Sequence, residues 1–310
     1  MMWFVAAFAL AGGAAQFVDG TLGMGFGVTS ATILLWMGVS AAAASAATHM
    51  AKLPTTFVSG LTHWRQGNVE VGTLIRVAIP GAIAAFLGAV VLVNLSLESA
   101  KTWMAGLLLF FGLVILVRFG FNKRLIPAPR SGHSAWWLSP LGALGGFTDS
   151  MGGGGWGPVV TPSIMTVTDH EPRKVVGTVN AAEFFVAVAA SLGFLTGAEQ
   201  LEENMPWAAV LGLIAGGVIV APFAARLAGR MPQHVMGTLV GGLLLIVNGS
   251  VLGKAAGISM TYGLALTASA LLATAVVARR AYRFDVLERA KQRTREDAAL
   301  ALELELEPLR

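Results

Sequence analysis

Long apolar segments, separated by short polar loops, occupy most of the chain. Six of them come close to the roughly 20 residues that a helix needs to cross the hydrocarbon core of a membrane. These six segments are 41–61, 74–95, 102–119, 175–195, 207–227 and 235–252. Four shorter ones, 3–17, 28–37, 136–147 and 159–167, flank two glycine-rich stretches in pairs. The pattern predicts an all-α polytopic membrane protein.

The two glycine-rich stretches are copies of one another. At an offset of 130 positions, the stretch 19–27 superposes on the stretch 149–157. The aligned pairs are Asp19 with Asp149, Gly23 with Gly153, Gly25 with Gly155, Phe26 with Trp156, and Gly27 with Gly157. Thr48 aligns with Thr178 at the same offset, and 106–109 aligns with 241–244 after a longer loop in the second half. We infer an internal duplication, with about 110 residues in each copy.

The duplication divides the chain into five parts. Residues 1–120 form a first repeat, 121–135 a basic cytoplasmic connector, and 136–252 a second repeat. An extra transmembrane helix is predicted over 258–280, and a cytosolic helical tail over 281–310.

The charges of the loops predict the topology. Short loops rich in Lys and Arg stay on the cytoplasmic side, which places the basic connector and the C-terminal tail there. The acidic loop around Glu199 then lies outside. Each pair of short segments becomes a re-entrant hairpin with a glycine tip, and three full spans follow it. Because three is odd, the halves have opposite orientations, as in transporters built from inverted-topology repeats. If the short segments each cross fully, a half has five crossings and the inversion remains.

Two glycine tips that enter from opposite faces would meet near the middle of the membrane. Each would direct the N-terminus of its second helix toward the centre, where free N–H groups favour an anion. Glycine also permits the positive φ angles of an anion-binding nest. The predicted contacts to substrate are Gly23, Gly25, Gly27, Gly153, Gly154, Gly155, Trp156 and Gly157. The alternative is that these glycines only allow helices to pack closely; for the run from 152 to 157 we favour the site.

Ionisable residues inside apolar segments are costly and point to function. His49 and Lys52 lie one helical turn apart and would place positive charge beside an anion. Glu183 is the strongest candidate for a protonatable group. Asp19 and Asp149 either cap the second helix of each pair or carry a coupling proton, and the sequence leaves both readings open. Hydroxyl and amide donors for the anion would come from Thr48, Thr178 and Asn180.

Composition supports the membrane assignment and excludes several classes. Hydrophobic residues make up 55% of the 310 positions and charged residues 12%, whereas a soluble domain averages about 25% charged residues. Cysteine is absent, which excludes disulfides and thiolate metal sites. The net charge of +4 is small, and the basic residues cluster in short loops and in the tail, which indicates membrane orientation and not nucleic-acid binding. No enzyme or P-loop motif occurs, so we expect no enzyme activity, cofactor or metal.

The chain resembles the TauE/SafE family of sulfite and organosulfonate exporters. The resemblance is carried by the second glycine stretch with the Gly142–Phe147 segment before it, by the first tip, and by 176–180 and 212–222; it covers about 11–252. It implies an inner-membrane carrier for small sulfur oxyanions or organosulfonates, commonly an exporter coupled to the proton gradient. Some members are assigned to uptake, so the direction is not fixed. His49 and Lys52 match no motif of the family and stand on the physical argument alone.

The predicted function is therefore a multi-pass secondary transporter of small sulfur-containing anions, with protons and the lipid bilayer as its other partners. The alternative is a channel that conducts small anions passively. A structural or regulatory membrane subunit is a weaker alternative, because the chain has no long soluble domain. Whether two copies form a homodimer is open.

Overall fold

The computed structural model describes residues 2–121, 137–168, 170–202, 205–228, 232–258, 265, 268–287, 290 and 294. Every regular element in these ranges is helical. In chain order the helices are α1 (Met2–Leu22), α2 (Phe26–Trp36), α3 (Ala41–Arg65), α4 (Val71–Asn94), α5 (Leu97–Ile115, continued by a π-helical turn Leu116–Gly120), α6 (Leu138–Gly152), α7 (Trp156–Val167), α8 (Pro172–Phe194), α9 (Ala198–Glu202), α10 (Trp207–Leu227), α11 (Gln233–Ala255) and α12 (268–287).

Six helices of the described ranges are long and apolar enough to cross a membrane: α1, α4, α5 with its π-helical turn, α8, α10 and α11. The prediction of an all-helical, multi-pass membrane protein is confirmed. α3 has 25 residues and fills another predicted span, but its buried face is polar, with serine, threonine, histidine and lysine side chains. A polar helix inside such a bundle is the place where function is expected.

The first arm is longer than predicted. We expected an apolar segment ending near Phe17, whereas α1 continues to Leu22 and includes Asp19 and Gly20. In this last turn the Thr21 hydroxyl donates to the carbonyl of Phe17 at 2.7 Å, and the Asp19 carboxylate accepts from the backbone N–H of Phe26. The chain turns only at Gly23, whose φ of 70° suits glycine. The arms of the first pair are therefore unequal, with 21 residues in α1 and 11 in α2.

Helices of one half pack mainly against helices of the other. α1 lies along α10, and α6 lies along α4; α3 packs on α8, and α5 on α11. Small residues allow the closest approaches. A Cβ added to Gly216 would lie 1.8 Å from the carbonyl oxygen of Ala9, and one added to Gly146 would lie 2.0 Å from that of Gly81. The core is thus formed jointly by the two halves.

Parts of the predicted division lie outside the described residues. Of the connector 121–135 the structure describes residue 121 only, and of the extra helix 258–280 it describes 258, 265 and 268–280. The last of these residues belong to α12, which continues to 287 and packs against α11, where Thr274 meets Gly242. The Asp285 carboxylate accepts hydrogen bonds from the backbone N–H groups of His234 and Val235 at the start of α11.

Candidate functional site

A buried ion cluster lies between the two halves, centred on the ammonium group of Lys52. This side chain of α3 is fully buried. Its Nζ lies 2.8 Å and 3.0 Å from the two carboxylate oxygens of Asp149 on α6 and 2.9 Å from Oε1 of Glu183 on α8. A buried charge is tolerated when it is paired and hydrogen-bonded, and here both partners come from the second half.

His49 extends the cluster by one helical turn. Its Nε2 lies 3.0 Å from Oδ2 of Asp149, and its Nδ1 lies 2.8 Å from the carbonyl oxygen of Ser45. The carbonyl accepts only from a protonated nitrogen, so Nδ1 carries a proton; Nε2 also carries one if the ring is charged. The Ser45 hydroxyl donates to the carbonyl of Ser150 at 2.6 Å, which fixes α3 against the end of α6.

Both aspartates of the glycine stretches cap the helix that follows. Oδ1 of Asp149 accepts from the backbone N–H of Trp156 at 3.1 Å, and Oδ1 of Asp19 accepts from that of Phe26 at 3.3 Å. These are the first residues of α7 and α2. Each carboxylate therefore accepts a hydrogen bond from one of the helix N-terminal N–H groups that we expected to bind an anion. The cap occupies only one oxygen of each carboxylate, so it does not exclude a proton-carrying role for the other oxygen.

The two glycine tips meet in the middle of the protein. A Cβ on Gly154 would lie 2.0 Å from the backbone nitrogen of Val28, and one on Gly157 would lie 2.6 Å from Cα of Met24. A Cβ on Gly27 would lie 2.6 Å from both Lys52 Nζ and the carbonyl oxygen of Gly153. The N-termini of α2 and α7 consequently converge beside the ion cluster.

Comparison with known proteins assigns the chain to a family. The family model described as sulfite exporter TauE/SafE matches residues 8–251. The chain belongs to the TauE/SafE family. The resemblance predicted from the glycine stretches is confirmed.

Two curated relatives of this TauE/SafE protein come from Bacillus subtilis (strain 168). The probable membrane transporter protein YtnM is 43% identical over 251 residues, which cover 79% of this chain and 81% of the relative. The probable membrane transporter protein YdhB is 24% identical over 235 residues, covering 73% and 93%. No solved structure matches the chain. These names are those of membrane transporters and not of enzymes.

The other predicted site residues of this TauE/SafE protein divide into two groups. Asn180 is buried beside the cluster's helices: its Oδ1 accepts from the Ser59 hydroxyl at 3.1 Å and so joins α8 to α3. The two threonines bond elsewhere. Thr48 donates to the carbonyl of Ala44 in its own helix, and Thr178 accepts from the backbone N–H of Glu70.

Glu70 and Lys174 form an ion pair near Thr178, at one end of α8. Lys174 Nζ lies 2.7 Å from Oε1 of Glu70, and this hydrogen bond holds the pKa of Glu70, which precedes the span α4, below its ordinary value. Arg173 pairs with Glu171 at 2.6 Å. This end of α8 is thus charged, while its middle carries Asn180 and Glu183.

Several residues of the site were not singled out from the sequence. Ser45 and Ser59 link α3 to the second half, and the hydroxyl of Thr161 donates to the carbonyl of Gly23 at 2.5 Å. Ser45 lies one turn before His49, and that spacing was a usable signal. Among the described residues, no group of three or more His, Cys, Asp or Glu side chains is placed to hold a metal ion.

Proposed function

We propose that this TauE/SafE protein is a secondary transporter that exports small sulfur-containing anions, sulfite or organosulfonates, across the bacterial inner membrane in a proton-coupled cycle. The observation that carries the proposal is the buried ammonium group of Lys52, held by two carboxylates where the glycine tips of both halves meet. A sulfonate has three acceptor oxygens and suits such a cation together with nearby N–H donors.

Electrostatics couples anion binding to proton binding. Lys52 is already paired with Asp149 and Glu183, and Asp19 lies close enough to interact electrostatically with both Lys52 and Glu183. An anion that joined three ionised carboxylates and one ammonium would meet net repulsion. Protonation of a carboxylate removes one negative charge and frees Lys52 for the substrate. Asp19, Asp149 and Glu183 are the proton-coupling groups of the proposal.

The charge carried in each cycle determines which force drives export. If the anion and a proton occupy the site together, a doubly charged organosulfonate leaves with a net negative charge. An inside-negative membrane potential then favours export, whereas a pH gradient that is acidic outside opposes the outward movement of the proton. Both forces can be imposed separately on liposomes, so the direction and coupling are measurable.

Room for the organic part of a sulfonate adjoins the cluster. A largely apolar cavity of about 480 Å³ lies between α3, α8 and the start of α10 and is lined by Met50, Leu53 and Phe194, among others. The ring centroid of Phe194 lies 5.7 Å from that of His49. A ligand with its anionic group near Lys52 could therefore extend its carbon skeleton toward this cavity.

The packing of the helices supports inverted repeats. Under the sequence offset, α1 corresponds to α6, and α10 to α4; the pair α1–α10 thus corresponds to the pair α6–α4. We propose that the halves are related by an approximate two-fold axis in the membrane plane, with α6–α7 as a re-entrant hairpin and α1–α2 as its longer equivalent, since α1 has the length of a full span. Alternating access would rock one set of helices around the fixed site. The C-terminus is assigned to the cytoplasm by loop charge.

Transport in liposomes tests the proposal. The purified full-length protein is first screened by thermal shift against sulfite, sulfoacetate, sulfolactate, taurine and sulfate. Counterflow of radiolabelled sulfoacetate and of sulfite is then measured in proteoliposomes. A carrier gives saturable counterflow that protons or potential alter. Flux that neither saturates nor shows counterflow identifies the passive channel instead and overturns the proposal.

A further inference from the structure

The two capping aspartates, equivalent in sequence, have different partners. Asp149 uses both oxygens: Oδ1 binds Trp156 N–H and Lys52, and Oδ2 binds Lys52 and His49. Asp19 uses Oδ1 for the N–H of Phe26, while its Oδ2 is buried without a hydrogen-bond partner in the described part of the chain. Asp149 is thus the more tightly bound of the two carboxylates, and Asp19 retains an oxygen without a partner among the described residues.

Two further buried polar side chains accompany Asp19. Gln16 lies one turn before it on α1 and is fully buried, and within the described residues neither its amide oxygen nor its amide nitrogen has a partner. His63 is fully buried on α3, and its ring lies against the backbone of Gly20, the residue after Asp19. Neither ring nitrogen of His63 forms a hydrogen bond of good geometry among those residues, and its nearest polar neighbour is the backbone of Gly20.

Such a group of unpaired polar atoms is unusual. Buried polar groups are nearly always hydrogen-bonded, and each exception calls for an explanation such as a functional role or an ordered water molecule. The second half has no counterpart, because the offset of 130 positions places Gly146 opposite Gln16 and Gly193 opposite His63. Packing symmetry therefore does not account for these side chains.

His63 lies nearer than Lys52 to the C-terminal end of α3. Lys52 lies in the middle of α3, whereas His63 lies two residues before Arg65, the last residue of that helix. Asp19 interacts electrostatically with Glu183 and Lys52, and Gly20 touches His63. Asp19 and His63 thus lead from the ion cluster toward the membrane face where α3 ends, and Gln16 lies one helical turn from Asp19 on α1.

We propose, on the basis of the proposed proton-coupled transport, that Gln16, Asp19 and His63 form a proton path between the Lys52 cluster and the face where α3 ends. Asp19 exchanges a proton with Glu183 on one side and, through a bridging water, with His63 on the other; His63 exchanges it with the aqueous side, and the amide of Gln16 orients Asp19 or that water. Only a proton moves in these steps, and no bond between heavy atoms forms or breaks. The path serves one face of the membrane, because the second half offers no equivalent groups.

The groups around the path are consistent with proton exchange. The carboxylate of Asp19 interacts electrostatically with the carboxylates of Glu183 on α8 and Asp149 on α6, and with the ammonium of Lys52 on α3. On α10 the neighbour of Gly20 is Ala224, a small apolar residue. His63 is thus linked to Asp19 through Gly20, the residue that follows Asp19 in α1.

Two assays on the full-length protein in liposomes separate the path from the site. The first is sulfoacetate counterflow at equal pH, which needs substrate binding but no net proton movement. The second follows lumenal pH with an entrapped dye while a sulfoacetate gradient is imposed. His63→Gln should leave counterflow unchanged and slow the coupled proton flux by about tenfold or more, the range of an acid–base contribution. The exposed neighbour Gln66 provides the control, since Gln66→Ala should alter neither assay.

A normal proton flux in folded His63→Gln would overturn the path. If that variant does not fold, as judged by thermal unfolding, Gln16→Leu takes its place with the same expected split between the assays. Loss of counterflow and proton flux together in folded variants would make these residues part of the substrate site and also overturn the proposal. Drive by a sodium gradient, with no response to pH, would assign Asp19 to Na⁺ instead. Absence of counterflow in the unaltered protein refutes the proposed function, a distinguishable result.

Discussion

Asp149 and Lys52, 97 positions apart and in different halves of the chain, are joined by two hydrogen bonds of 2.8 and 3.0 Å. Both side chains are completely buried. A charge pair in such a position contributes less to stability than its strength suggests, because both ions lose their hydration, yet removal of one partner is costly. The pair therefore links the two halves of the chain, and either single replacement would leave a buried charge without its partner.

Replacement of Lys52 tests the cation of the proposed site. Lys52→Met should abolish anion-induced thermal stabilisation, because no other cation in the cluster contacts both Asp149 and Glu183. Leaving those carboxylates unpaired should also lower the stability of the protein, by about 3–5 kcal/mol for a broken buried pair. Lys52→Arg, which keeps the charge, should retain part of the binding. Lys101→Met on the exposed start of α5 is the matched control. Anion binding that survives in folded Lys52→Met would exclude the role.

Glu183→Gln tests coupling. The amide keeps a hydrogen-bonding oxygen near Lys52 but cannot take up a proton. We expect sulfoacetate binding to remain measurable and the dependence of transport on the pH gradient to be lost. Glu171→Gln, which removes an exposed carboxylate at the start of α8, should leave the pH dependence unchanged. Full proton coupling in Glu183→Gln would assign the proton to another carboxylate.

Much of this architecture could be predicted from the sequence, and the reason is the apolar pattern. Spans α4, α5, α8, α10 and α11 are visible as apolar runs, and the offset of 130 positions pairs the glycine stretches. The length of α1 was not predicted, because a carboxylate followed by glycine, as in Asp19–Gly20, is typical of the end of an apolar helix, whereas the helix continues to Leu22.

The partners within the site could not be predicted either. The offset of 130 positions aligns Asp19 with Asp149, but it aligns His49 with Val179 and Lys52 with Ala182. Only Asp149 therefore gains an ion pair. Distances between halves depend on how the glycine tips approach each other, and that information lies in the three-dimensional packing.

The close contact of the tips gives a prediction for their glycines. A Cβ on Gly154 would lie 2.0 Å from the backbone nitrogen of Val28, which cannot move like a side chain. Gly154→Ala should therefore separate the tips, destabilise the protein by about 1–3 kcal/mol as other overpacked sites do, and weaken anion binding. Gly106→Ala on α5 adds its methyl group to open space and should be neutral or slightly stabilising. Wild-type stability and binding in Gly154→Ala would show that the tips do not need this contact.

The two capping aspartates should respond differently to the same change. Asp19→Asn and Asp149→Asn both keep an oxygen that can cap α2 or α7. Asp149→Asn also removes the charge that faces Lys52 and His49, so a large loss of stability and of anion binding is expected. Asp19→Asn breaks no ion pair and should fold with nearly unchanged thermal stability, while proton flux stops. Thermal unfolding in detergent and the two liposome assays measure the contrast on matched variants. Equal destabilisation of both variants would show that Asp19 is as tightly bound as Asp149, and the free oxygen would not be available for a proton.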